Sequence, residues 1–139
     1  MTEGLDALVG AWRSSGETVG EPVVRIEGSD VYEWLPGGHF LLHHVDVTLD
    51  GRRYQALEVF EGDVARSYDS DGATGTMAVA VSADGVVTLA GPDTRARLTV
   101  GANRMAARWE RLESGEWRHW MDMRFTRESS PRSPAAATP

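Results

Sequence analysis

Cysteine is absent from the 139-residue chain. Disulfides, thiolate nucleophiles and cysteine-ligated zinc are therefore excluded. Lysine is absent as well. All 14 basic side chains are arginine, set against 21 Asp and Glu, for a formal net charge of −7. A chain this short of positive charge is a poor match for a phosphate backbone, so no nucleic-acid partner is expected. Long apolar runs are also missing. Nothing approaches the ~20 residues of a membrane helix, so no membrane partner is expected. Met1-Thr2-Glu3-Gly4 carries neither the basic nor the apolar region of a secretion signal, which makes a cytoplasmic location the expectation. Helical periodicity is scarce beyond residue 9, and no internal repeat is visible.

What the chain does have is turn chemistry. Glu21-Pro22, Pro36-Gly37-Gly38, Asp50-Gly51, Glu61-Gly62-Asp63, Asp71-Gly72, Asp84-Gly85, Gly91-Pro92-Asp93, Gly101-Ala102-Asn103 and Ser114-Gly115 recur at intervals of roughly ten residues. The segments between them are strand-length and rich in Val, Leu, Thr, Tyr, Phe and Trp. They predict about ten strands, near 10–18, 23–35, 39–49, 53–61, 64–70, 75–82, 86–90, 94–100, 104–113 and 116–127. A meander of this length closes on itself because closure removes exposed edges. The predicted fold is all-β, an antiparallel up-and-down barrel of eight to ten strands. A short helix over residues 4–9, with Leu5, Leu8 and Val9 on one side, closes one end. Residues 1–127 form the single expected domain. Residues 128–139, with three of the six prolines and no large apolar side chain, are expected to be a disordered tail.

Three pieces of sequence carry a family resemblance. They are Leu5-x-x-Leu8-Val9-Gly10-x-Trp12, Trp34-Leu35-Pro36-Gly37-Gly38-x-Phe40-Leu41, and a late Trp109 followed by Gly115-x-Trp117 and Arg127. In order and spacing they resemble the calycin superfamily of lipocalins, fatty-acid-binding proteins and nitrobindin-like barrels. Within it, the chain is most similar to small bacterial lipocalin-like proteins of unknown function. The resemblance implies that Trp12 closes one barrel end with an arginine stacked near it, for which Arg108, Arg124 and Arg127 are the candidates. Nitrobindin-like relatives bind haem, but Arg13-Ser14-Ser15-Gly16-Glu17 departs from their glycine pattern, so no cofactor is expected.

Alternate residues of a barrel strand point inward. That parity groups Leu41, His43, Val45, Val47 and Leu49, and likewise Trp117, His119, Met121, Met123 and Phe125. It also turns Met77, Val79 and Val81 inward, with Met105, Ala107 and Trp109. Over residues 53–61 the parity stays open between Tyr54/Ala56/Glu58/Phe60 and the opposite set. The expected interior is an apolar cavity with isolated polar anchors, the usual make-up of a small-ligand site. His43, His119 and Glu58 are the candidate acid–base groups. Trp34, Tyr54, Met77, Trp109, Trp117 and Met121 are the candidate ligand contacts. His39, His43, His44 and Asp46 do not make a metal site, because i and i+4 side chains of a strand lie about 13 Å apart. The function expected is binding of a small, largely apolar molecule by a monomer or homodimer. A cofactor-independent cyclase or isomerase acting on a polyketide-like intermediate is the alternative. A haem protein using His119 is a third reading.

Overall fold

A computed structural model describes residues 4–128. The tail read over 128–139 lies, beyond Glu128, outside the described residues. A single turn of 3-10 helix, Leu5–Leu8, precedes ten strands. These are β1 (Gly10–Thr18), β2 (Arg25–Trp34), β3 (Leu41–Leu49), β4 (Arg52–Glu61), β5 (Val64–Asp69), β6 (Thr74–Val81), β7 (Val86–Ala90), β8 (Thr94–Val100), β9 (Arg104–Glu113) and β10 (Glu116–Arg127). Each strand pairs antiparallel with the next, and β1 pairs with β10 to close the barrel. The expected helix is thus tighter and shorter than an α-helix, and the strand count sits at the top of the expected range.

Turn chemistry sets the register. Leu49 pairs with Arg52 and Glu113 with Glu116, leaving two-residue loops at Asp50-Gly51 and Ser114-Gly115. All four loop residues have positive φ, the condition for hairpin turns whose twist matches the strands. Gly28 answers a different need. It lies opposite both Ser14 and Val47, and a Cβ there would collide with the Asp46 carbonyl and with Val47. Glycine lets β2 and β3 approach closely at this point.

The N-terminal turn closes the end reached by the start of β1 and the end of β10. Leu5, Leu8 and Trp12 are fully buried there. The Trp12 indole Nε1–H donates to the Leu8 carbonyl at 2.8 Å. The arginine stacked on Trp12 is Arg127, its guanidinium 4.1 Å from the ring centroid. Arg127 also donates to the carbonyls of Val9 (2.6 Å), Ala7 (3.1 Å) and Ala102 (2.7 Å), tying the plug to the barrel wall. Of the other two candidates, Arg124 pairs instead with Glu17, and Arg108 lies near Glu110. Leu41, Phe60, Ala65, Val79, Val87, Leu98, Met105 and Phe125 extend the core upward from this plug.

Candidate functional site

Strands β2, β3 and β4 place three ionisable side chains side by side on their inner faces. His43, with apolar Leu41 and Val47 on the same parity, is flanked by Tyr32 across β2 and Glu58 across β4. Its Nε2–H donates to Asp30 Oδ2 at 2.6 Å, and its Nδ1–H donates to Glu58 Oε1 at 2.9 Å. The Ser14 hydroxyl donates to the remaining Asp30 oxygen, Oδ1. Tyr32 stacks flat on the imidazole, with ring centroids 3.9 Å apart and planes 10° apart. The side chains of His43, Asp30 and Glu58 are only 11%, 8% and 14% exposed.

Two carboxylates facing the two ring nitrogens require both nitrogens to carry protons, so the histidine is an imidazolium. Burial opposes that charge. The hydrogen bonds and fields of Asp30 and Glu58 outweigh it and push the His43 pKa from 6.5 up to about 9. Burial, reinforced by the same two carboxylates, holds the Tyr32 phenol protonated far above its ordinary range. The cluster is a compact charged group in which the proton positions are fixed by geometry. Among the described residues, no group of three His, Asp or Glu side chains is arranged to hold a metal ion.

The other expected site residues divide three ways. Tyr54 and Glu58 share the inward parity of β4 with Phe60, which closes the alternative left open there. The Tyr54 hydroxyl donates to Asp69 Oδ2 at 2.9 Å near the open end. Met77, Trp109 and Met121 belong to the same half of the barrel and pack against the core while remaining only partly buried. Trp109 meets Trp120 edge-on, 6.3 Å between centroids. Trp34 sits at the closed end, where its Nε1–H donates to Asp6 Oδ1 of the plug at 2.8 Å, away from the open mouth.

Trp117 and His119 do not join the cluster. On β10 the register shifts between His119, opposite Glu110, and Met121, opposite Trp109, so Trp120 is an extra residue. Such a bulge reverses parity. Met121, Met123 and Phe125 keep the inward face, while Trp117 and His119 turn to the outer one. There His119 Nε2 meets Asp122 at 2.8 Å, and the Arg95 guanidinium lies 4.3 Å above the Trp117 ring. The expected pairing of His43 with His119 in one interior site is therefore corrected. A separate shallow groove, lined by Thr88, Arg95, Arg97, Arg108 and Glu110, lies away from the cluster on β7 to β9.

Sequence reading missed Asp30, Ser14 and Tyr32. The signal for two of them was present. Ile26, Gly28, Asp30, Tyr32 and Trp34 alternate along β2, so Asp30 interrupts an otherwise uncharged parity just as His43 does on β3.

No family model matches the chain, and no curated protein does. Solved structures do. The crystal structure of Rv2717c from M. tuberculosis superposes with a TM-score of 0.66 at 11% identity, covering 91% of this chain and 96% of that one. Zebrafish ileal bile acid-binding protein complexed with cholic acid gives a TM-score of 0.59 at 9% identity, over 88% and 99% of the two chains. At such identities the likeness speaks for the fold alone. The closed ten-stranded antiparallel barrel, plugged beneath Trp12, is a calycin-like fold.

Proposed function

We propose that the barrel binds a small, largely apolar molecule in its interior, as a soluble carrier or sensor of the cytoplasm. One observation carries this reading. Val45, Tyr54, Met77, Trp109 and Met121 are on inward parities, yet each keeps part of its surface accessible, whereas the plug-end residues Leu41, Phe60 and Val87 keep almost none. An inner wall that is packed at one end and accessible at the other supports a guest seated between the mouth and the His43 cluster. Methionine and tryptophan make that wall adaptable and polarisable. The zebrafish barrel of the same fold holds cholic acid, which lends support by analogy of fold. The test is titration with Nile red, a neutral apolar dye. Saturable blue-shifted emission at one dye per chain is expected, and Met121→Glu is expected to weaken it at least roughly tenfold. Emission that never departs from that of dye in buffer would refute the reading.

A second reading, a cofactor-independent cyclase or isomerase, is favoured by one feature. A buried phenol, an imidazolium and a carboxylate adjoin one another at Tyr32, His43 and Glu58. In that case the barrel would orient the substrate and Glu58 or Tyr32 would exchange a proton with it. Turnover of candidate substrates that is lost in Glu58→Gln would establish it.

A further inference from the structure

The interior has an unusual charge inventory. Thirteen arginines fall within the described residues, and twelve of them are exposed. The thirteenth, Arg127, spends its N–H groups on carbonyls around the plug. At the open rim, Arg111 pairs with Glu113 at 2.6 Å and Arg52 with Asp71 at 3.4 Å. The cation of the cluster is His43, and both of its N–H groups already serve Asp30 and Glu58. With one imidazolium between two carboxylates, the cluster carries a net charge of −1.

Two oxygens of this cluster remain free. Among the described residues neither Glu58 Oε2 nor the Tyr32 hydroxyl makes a hydrogen bond, although Tyr32 is 3% exposed and Glu58 lies on the inner face. Neither atom is sealed in, since among the described residues no buried side-chain nitrogen or oxygen lacks a partner. Each of the two oxygens therefore keeps some accessible surface. Both carboxylates lie close enough to Tyr32 for their fields to act on it.

We infer that the guest of this barrel carries a protonated amine on its apolar body, seated on Glu58 Oε2 and the Tyr32 hydroxyl. This rests on the interior-binding reading and names the chemical class of its ligand. An ammonium group brings the N–H donors that both oxygens lack, and its charge neutralises the cluster. A neutral alcohol can donate one hydrogen bond but gains nothing from the charge. A carboxylate finds the Tyr32 hydroxyl as its one free donor in the cluster and sits against Glu58, while the rim arginines Arg111 and Arg52 are already paired with Glu113 and Asp71. The apolar body extends past Val45 toward Met77, Trp109 and Met121, where the aromatic rings also tolerate a cation.

The experiment compares three guests with one tail, dodecylammonium, dodecanol and dodecanoate, each below its micelle concentration, by calorimetry at pH 7. Wild type is expected to bind dodecylammonium at least roughly tenfold tighter than dodecanoate, with dodecanol between them. In Glu58→Gln the cluster is neutral and the gap between the two charged guests is expected to close by about tenfold, with dodecanol little changed. Dodecanoate binding as tightly as dodecylammonium to wild type overturns the inference while leaving the interior-binding reading intact. An undiminished preference in a folded Glu58→Gln also overturns it. Failure of all three guests to bind overturns the reading beneath it, and the inference with it. The wild-type ranking decides the matter even where the variant does not fold.

Discussion

Raising the pH from 6 to 10 should remove one identifiable contribution to stability. In the unfolded chain the His43 imidazole loses its proton near pH 6.5, whereas in the barrel it holds it to about pH 9. A difference of about 2.5 in pKa corresponds to roughly 3 kcal/mol favouring the folded state. The folded value is the higher one, so this stabilisation is fully present below pH 6.5 and is lost as the pH rises through 9. Between these limits the native state binds one proton more than the unfolded state, and stability falls by about 1.4 kcal/mol per pH unit. The physical cause is local. A neutral imidazole must point a lone pair at Asp30 Oδ2, 2.6 Å away, or at Glu58 Oε1, 2.9 Å away, instead of an N–H. Urea unfolding of wild type and His43→Gln at each pH isolates the effect, because the difference between the two proteins removes the titrations of groups outside this cluster. Wild type should lose its excess stability over His43→Gln between about pH 7 and 9. Parallel pH profiles for the two proteins would refute the argument that His43 is an imidazolium clamped by two carboxylates.

Three further outcomes are expected. Trp12→Ala should destabilise the barrel by about 3–5 kcal/mol in chemical unfolding, because the ring is fully buried and Arg127 and Leu8 both lose their partner; an unchanged midpoint would show that the ring is no plug. Gly28→Ala should cost about 1–3 kcal/mol, since the added methyl meets the Asp46 carbonyl and Val47; a variant as stable as wild type would mean that β2 and β3 are not in close approach there. His119→Ala should stay within about 0.5 kcal/mol of wild type, as its contact with Asp122 is half-exposed, and should bind Nile red normally. A loss of dye binding would return His119 to the interior.

Much of the architecture was legible because turn residues punctuate the chain at almost every strand end. Asp50-Gly51 and Ser114-Gly115 dictate two-residue hairpins, and a hairpin fixes the register of the strands on either side. Parity on β3 followed directly and turned His43 inward. Parity on β10 failed at one residue, Trp120, because nothing in a run such as His119-Trp120-Met121 marks an inserted residue when both parities contain large side chains. Asp30 went unread for a different reason. Whether a carboxylate is solvated or buried beside a histidine depends on the strand next door, and β2 shows that partner only once its register against β3 is known. The choice of Arg127 over Arg108 and Arg124 was likewise settled by register, since Arg127 is the residue opposite Trp12.

The central claim is that a guest occupies the accessible half of the barrel interior. Methyl-labelled methionine NMR during titration with Nile red tests it most directly, because Met77 and Met121 line that half while Met105 is packed near the plug. The methyl resonances of Met77 and Met121 are predicted to shift together and to saturate at one dye per chain, with Met105 nearly still. Dye binding that leaves the Met77 and Met121 methyls unmoved would place the guest outside the barrel and contradict the account.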